Sequence, residues 1–108
     1  MGKDQAIKVI RKFIKALKQE GISVDRVILY GSYAKGKIRP DSDIDVAVVS
    51  KQFGRDRVEE GMNLFRIAGK IDPRIEPIPI SSESYEKDTW IPLIYEIKEK
   101  GIEVELLS

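Results

Sequence analysis

Residues 31–49 read GSYAKGKIRPDSDIDVAVV, and two features of this stretch decide the fold that the chain can adopt. Gly31 and Ser32 directly follow a short apolar run, which is typical of a buried strand that ends in a turn. Asp43 and Asp45 stand two residues apart at the start of a second apolar strand, so their side chains leave the same face. The stretch therefore predicts two strands joined by a connection long enough for one helical turn, with two carboxylates opening the second strand.

The paired carboxylates indicate a metal site. Their Cα atoms are expected roughly 6.5–7 Å apart, which suits shared metal ions about 3.5–4 Å from one another. Two neighbouring anions repel strongly without a cation, and the rest of their strand belongs in a core. The structural alternative is a turn at residues 41–43 with Asp45 as a solvated strand entrance. Gly31 and Ser32 favour the ligand site, because they can bring backbone amides and a hydroxyl close to phosphate oxygens.

A phosphate-binding P-loop is a second interpretation of the same stretch. Residues 31–37, GSYAKGK, match the opening G-x-x-x-x-G-K of that motif and follow a strand. However, Ile38 stands where the motif has the Ser or Thr that contacts Mg²⁺. Pro40 also disfavours the long helix that should follow. The sequence therefore favours the carboxylate site over the P-loop.

The composition of the 108 residues excludes several kinds of chemistry. There is no cysteine and no histidine, so disulfides, thiolate and imidazole metal sites, and Cys or His catalysis are excluded within this chain. A bound metal would take oxygen ligands, which favours Mg²⁺, Mn²⁺ or Ca²⁺. A net charge of +1 does not predict direct nucleic-acid binding. No membrane-spanning run or signal peptide is apparent, so we expect no membrane partner and a cytoplasmic protein.

Apolar periodicity predicts three helices. They cover residues 4–20, ending at Gly21, residues 55–70, and residues 83–100, the last broken or begun near Pro92. The residues predicted to face inward are Ala6, Ile7, Ile10, Phe13, Ile14 and Leu17 in the first helix, and Val58, Met62, Leu64 and Phe65 in the second. Three aromatic residues near the last helix are predicted to pack in the core or, alternatively, to form a protein interface: Tyr85, Trp90 and Tyr95.

Two further strands are predicted after the second helix. Residues 74–80, RIEPIPI, suit an edge strand, because Pro77 and Pro79 lack N–H donors but point to the same side of the strand. Residues 102–106 alternate apolar and acidic, as a half-exposed strand does. The order helix, strand, turn, strand, helix, strand, helix, strand predicts a single small α+β (α/β) domain over residues 1–108.

The segment from Gly31 to Asp45 resembles the G-S-x₁₀-D-x-D signature of the DNA polymerase beta-like nucleotidyltransferase superfamily. The fuller pattern G-S-x-A-x-G, followed by S-D-I-D, resembles the minimal nucleotidyltransferase branch. The resemblance implies a polymerase beta-like fold, with a mixed sheet of about four strands and helices packed on one side. It also implies a Mg²⁺-dependent enzyme that transfers a nucleoside monophosphate, with AMP from ATP expected, to a hydroxyl.

The same resemblance assigns roles to individual residues. The Gly-Ser turn binds the triphosphate, the paired acids bind two Mg²⁺ ions, and a third acid on a later strand completes the metal site. Glu76 is expected in that third position, with Asp72 as the alternative. The expected catalytic and metal-binding residues are thus Asp43, Asp45 and Glu76. The expected nucleotide-binding residues are Gly31, Ser32, Lys35, Gly36 and Ser42.

The short chain leaves no room for a separate acceptor domain. It is similar to stand-alone members of the family that pair with a small helical HEPN protein as the antitoxin of a toxin–antitoxin module. The resemblance therefore implies a HEPN-type partner, with a Tyr hydroxyl on that partner as the acceptor. The alternative is a catalytically weak or inactive nucleotide-binding module that neutralises its partner by contact alone. A subunit of an antibiotic-modifying enzyme is a third interpretation, and it requires a separate chain with an acceptor pocket.

Overall fold

The strands of the protein form one mixed sheet. The computed structural model describes residues 2–39 and 41–106. Within these ranges the helices are α1 (Lys3–Gln19), α2 (Ser32–Lys35), α3 (Arg57–Ile71), α4 (Ser82–Lys87) and α5 (Pro92–Lys100). The strands are β1 (Arg26–Tyr30), β2 (Ile44–Ser50), β3 (Ile75–Ser81) and β4 (Ile102–Glu103). Their order is β3-β2-β1-β4, with β2 and β3 parallel and the other pairs antiparallel. The predicted mixed sheet of four strands is confirmed.

The first helix ends where the sequence predicts. Gly21 has a φ of 82°, and its N–H donates to the carbonyl of Lys18. The N–H of Ile22 donates to the carbonyl of Leu17 at 3.0 Å. This pair of bonds is a Schellman motif, in which a left-handed glycine satisfies the last carbonyls of a helix. None of the helices in the described ranges is long and apolar enough to cross a membrane.

Helices cover both faces of the sheet. α1 and α3 pack on the face that carries Val27, Leu29, Val46 and Val48. The opposite face of the same strands carries Ile28, Ala47 and Val49, and α5 covers it with Ile94 and Ile97. The expected one-sided packing therefore describes α1 and α3 but not α5. The physical reason is that β1 and β2 are apolar on both faces, so each face requires cover.

The inward face of α3 was predicted wrongly. Val58, Met62 and Phe65 are 74%, 67% and 52% exposed. The helix instead buries another apolar stripe, formed by Leu64, Ile67 and Ala68. Both stripes have helical spacing, so periodicity alone does not determine which one faces the sheet. Leu64 was included among the predicted inward residues, and that part of the prediction is confirmed.

β3 is an edge strand, as predicted. The N–H of Ile44 donates to the carbonyl of Arg74 at 2.8 Å, and alternate residues of a strand point their backbone groups to the same side. Glu76 therefore points its backbone groups toward β2, whereas Pro77 and Pro79 point theirs to the outside. The outer edge thus lacks two N–H donors, which hinders pairing with the strand of another molecule.

The helix after β1 is a single turn. α2 ends at Lys35 and is followed by Gly36 as its C-cap, before Pro40, which lies outside the described residues. The long helix of a P-loop would begin at Gly36-Lys37, but residues 37–39 are not helical, so this alternative is excluded.

Tyr33 in α2 is buried in the core. Trp90 and Tyr95 are exposed, so the prediction that they pack in the core is wrong, and the alternative of a protein interface stays a prediction.

The last predicted helix is divided into α4 and α5, with Pro92 as the first residue of α5, and this break is confirmed. The strand predicted over residues 102–106 is shorter in the structure, where β4 comprises only Ile102–Glu103. The N–H of Val104 still donates to the carbonyl of Val27 at 2.8 Å, and Val104 is buried. The alternation of buried and exposed side chains therefore continues beyond the short ladder.

Candidate active site

Three side chains form a row across neighbouring strands. Tyr30 pairs with Asp45 in the antiparallel register of β1 and β2, and Asp45 pairs with Glu76 in the parallel register of β2 and β3. Paired residues of adjacent strands project from the same face of a sheet. The three side chains therefore lie on the face that α5 covers, near the end of β1 and the beginnings of β2 and β3. Asp43 stands just before β2, two residues from Asp45.

Burial and neighbouring negative charges raise the pKa of two acids in this row, Asp45 and Glu76. Burial, followed by the charges of Asp43 and Glu96, raises the pKa of Asp45. The pKa of Glu76 is raised by burial, by the charges of Asp43 and Asp45, and by a hydrogen bond to Asp43. The structure therefore brings the charge of Asp43 close enough to Asp45 and Glu76 to oppose their ionisation.

Gly31 lies directly against Asp45. Its φ of 72° and ψ of −141° are accessible to glycine and rarely to other residues. A Cβ at this position would collide with the carboxylate of Asp45, whose Cγ would be 3.2 Å away. Within the described part of the chain, no side chain caps the N-terminus of α2, which begins at Ser32. The Gly-Ser turn thus presents backbone N–H groups beside the carboxylates.

The three acids suit Mg²⁺ by their chemistry. They offer only carboxylate oxygens, which are the ligands this ion prefers, and a cation would relieve their mutual repulsion. Within residues 2–39 and 41–106, however, no group of three or more acids is arranged around a common point as a formed metal cage. The chemistry of the donor set therefore suits Mg²⁺, whereas its arrangement does not form a metal site in the described ranges.

Two other predicted nucleotide-binding side chains have protein partners. The Nζ of Lys35 lies 2.9 Å from Oε1 of Glu96 in α5. The Oγ of Ser42 accepts a hydrogen bond of 2.8 Å from the N–H of Arg39. The Ser42 side chain therefore stabilises the loop that leads into β2. Because the hydroxyl group is the acceptor in this bond, it can still donate its own proton to another acceptor.

The alternative third acid, Asp72, is neutralised by a neighbour. Arg74 donates to it from Nε at 3.1 Å and from a terminal nitrogen at 2.7 Å, and its backbone N–H also donates at 2.9 Å. These bonds, the side-chain bond above all, lower the pKa of Asp72. Asp72 is also not among the groups that shift the pKa of Asp45 or Glu76. Its geometry is that of a turn residue before β3, whereas Glu76 stands beside Asp45.

Sequence reasoning missed two residues of this region. Burial raises the pKa of Tyr30 to about 12, with contributions from the charges of Asp45, Glu76 and Glu96. Tyr30 immediately precedes Gly31, so its place beside Asp45 follows once β1 and β2 are taken as an antiparallel pair. Glu96 lies far along the chain in α5, and no sequence signal connects it with the Gly-Ser turn.

Comparison with known proteins identifies the class. Residues 10–107 match the nucleotidyltransferase domain family. The protein therefore belongs to this family and is a nucleotidyltransferase. A relative from Methanocaldococcus jannaschii, named "Putative protein adenylyltransferase", is 32% identical over 100 residues, which cover 93% of this chain and 96% of the relative.

Solved structures share the fold. A "putative nucleotidyltransferase" from Sulfolobus solfataricus has a TM-score of 0.67 and 16% identity, over 94% of this chain and 80% of that chain. A chain of a toxin–antitoxin structure with AMP-PNP has a TM-score of 0.60 and 21% identity, over 90% of this chain and 73% of that chain. The nucleotidyltransferase fold predicted from the sequence is therefore confirmed.

Proposed function

We propose that this protein transfers a nucleoside monophosphate, AMP from ATP, to a hydroxyl group of a partner protein in a Mg²⁺-dependent reaction. The observation that carries the proposal is the convergence of Asp43, Asp45 and Glu76 beside the Gly31-Ser32 turn. Clustered carboxylates beside backbone N–H groups suit a triphosphate with its metal ions, because phosphoryl-type transfer depends mainly on positioning and charge stabilisation.

In the proposed reaction, the hydroxyl oxygen bonds to the α-phosphorus and the bond to the β-phosphate breaks, so pyrophosphate leaves. The backbone N–H groups of Gly31 and Ser32 would donate to phosphate oxygens, as N–H groups at helix starts do. Asp43, Asp45 and Glu76 would hold two Mg²⁺ ions. When bound, Mg²⁺ neutralises the phosphates and lowers the pKa of the attacking hydroxyl. Glu76 would complete the metal site beside the attacking hydroxyl and so favour loss of the hydroxyl proton to solvent.

A protein acceptor is supported by three observations. The relative from M. jannaschii carries a protein adenylyltransferase name, and one structural neighbour comes from a toxin–antitoxin complex. The exposed stripe of α3 also lines a groove with the outer edge of β3, formed by Val58, Met62, Phe65, Pro77 and Pro79. Apolar surface of this kind favours a protein partner. We infer a HEPN-type toxin as that partner, with a Tyr hydroxyl as the acceptor and this chain as the antitoxin.

A second candidate is a module that binds nucleotide weakly or without turnover and neutralises its partner by contact alone. Two observations favour it: the exposed stripe of α3 does not depend on the acids, and the described acids do not surround a common metal position.

One comparison separates the two candidates. Asp43→Asn and Asp45→Asn together remove two negative charges and keep similar side-chain shapes. The double variant and the unchanged protein are incubated with α-labelled ATP, Mg²⁺ and the proteins that co-purify with them. An enzyme labels a partner protein, and the double variant does not. If the unchanged protein leaves its partner unlabelled while both forms neutralise it equally, the contact-only function is correct.

A further inference from the structure

Lys35, which is expected at the triphosphate, is engaged by an acid from another element. Its Nζ lies 2.9 Å from Oε1 of Glu96, so the ion pair connects α2 to α5. The two side chains are 41% and 33% exposed, which places the pair at the solvent boundary rather than in the core. Such exposed ion pairs contribute little to stability, so stability alone does not account for an acid at this place.

Glu96 also acts on the carboxylate row, the acids Asp43, Asp45 and Glu76 beside the Gly-Ser turn. Its charge is among the causes that raise the pKa of Asp45 and of Tyr30. Glu96 thus adds negative charge to a region that already holds three acids and would receive a triphosphate. An unpaired acid here would repel phosphate oxygens, whereas pairing with Lys35 masks both charges while the nucleotide is absent.

We propose that Glu96 is a positioning residue that holds Lys35 in the nucleotide-free site and releases it when triphosphate oxygens take its place. The inference rests on the proposed function, because the competing anion is the triphosphate of the substrate. The exchange is favourable in direction, since a phosphate group offers Lys35 several oxygens and more charge than one carboxylate. The cost of breaking the pair is small, because both of its members are partly solvated.

The test measures binding of AMP-PNP with Mg²⁺ by titration calorimetry. Glu96→Gln removes the charge but keeps the size of the side chain, so Lys35 is no longer held by a carboxylate. We expect this variant to bind about two- to fivefold more tightly, which is the effect of losing one exposed ion pair. Lys35→Gln should bind more weakly, and the tightening caused by Glu96→Gln should be smaller in that background, because only repulsion by the unpaired acid is then relieved. In turnover, Glu96→Gln should lower KM more than it changes kcat.

A matched control comes from α4. Glu83 and Lys87 form another exposed pair, at 3.6 Å, away from the carboxylate row. Glu83→Gln should leave AMP-PNP affinity unchanged and thereby show that a general change of net charge is not responsible. Weaker or unchanged binding by Glu96→Gln would overturn the inference, and so would equal tightening with and without Lys35. If the unchanged protein does not bind AMP-PNP, both the proposed function and this inference fail. If the unchanged protein binds AMP-PNP and Glu96→Gln has no effect on the affinity, only this inference is overturned.

Discussion

The surroundings of Asp45 disfavour the ionised form of its side chain. Burial and the neighbouring charges of Asp43 and Glu96 raise its pKa, so ionisation of Asp45 destabilises the metal-free fold. For an acid with a raised pKa, the stabilising contribution is present below the unfolded-state pKa and is lost as the pH rises through the folded-state pKa. The cluster should therefore be tolerated at low pH and unfavourable at neutral pH unless a cation is bound.

Asp45→Asn should stabilise the metal-free protein at pH 7 by about 0.5 kcal/mol, the scale of one solvent-screened charge interaction. The advantage should shrink as the pH falls through the raised pKa of Asp45, because the native residue then becomes protonated. Urea unfolding in EDTA at several pH values measures this effect. Asp41→Asn, at a nearby exposed acid, is the control. A variant that is less stable than the unchanged protein at pH 7 would contradict the electrostatic account.

Gly31 is constrained by its φ and by its neighbour, whereas Gly21 is constrained by φ alone. Nothing lies within 4 Å of a Cβ placed at Gly21. Gly21→Ala should therefore cost about 1 kcal/mol of unfolding free energy through its left-handed conformation. Gly31→Ala should cost more, about 2–3 kcal/mol, and should displace Asp45. Thermal unfolding and nucleotide binding distinguish them, since only Gly31→Ala should also lose affinity. Equal losses of stability and unchanged binding would contradict the close approach of Gly31 to Asp45.

At the scale of the secondary-structure elements, α3 has two apolar stripes, of which one is buried and the other is exposed. Leu64 is fully buried, and Met62 on the same helix is largely exposed. Leu64→Ala should destabilise the protein by about 2–5 kcal/mol, because it leaves a cavity. Met62→Ala should change stability by less than about 0.5 kcal/mol, as surface substitutions usually do. Denaturant unfolding of the two variants measures the difference, and a larger loss for Met62→Ala would contradict the observed orientation of α3.

Much of the fold could be predicted from local signals. The end of α1 at Gly21 and the edge position of β3 followed from glycine and proline chemistry at those positions. Asp43 and Asp45 could be placed on one face because a strand has a period of two. The buried face of α3 could not be predicted, since both of its stripes are apolar. Glu96 could not be found either, because its closeness to Lys35 depends on how α5 crosses the sheet.

For the molecule as a whole, the sheet separates two regions with different properties. Acids and the Gly-Ser turn lie where β1 ends and β2 and β3 begin. The exposed stripe of α3 lies beside the outer edge of β3. In the proposed function, the first region holds the nucleotide and the second contacts the partner. Changes to the stripe and changes to the acids should therefore have separable effects.

Met62→Glu places a charge in the centre of the α3 stripe and leaves the carboxylate row intact. We expect it to weaken binding of the co-purifying partner at least tenfold, since a buried unpaired charge is costly at an interface. AMP-PNP affinity should be unchanged. Surface plasmon resonance against the partner measures the first quantity, and titration calorimetry measures the second. Asn63→Glu, on the neighbouring position of α3, is the control for added charge. Full retention of partner binding by Met62→Glu would exclude this surface from the interface.

The central claim is that the acids beside the Gly-Ser turn support attack at the α-phosphorus of a nucleoside triphosphate. The most direct measurement incubates the protein and its partner with Mg²⁺ and either α-labelled or γ-labelled ATP. The account predicts that label from the α-position appears on a hydroxyl of the partner and that label from the γ-position appears in pyrophosphate. Transfer of the γ-label to the partner would show attack at the γ-phosphorus instead and would contradict the claim.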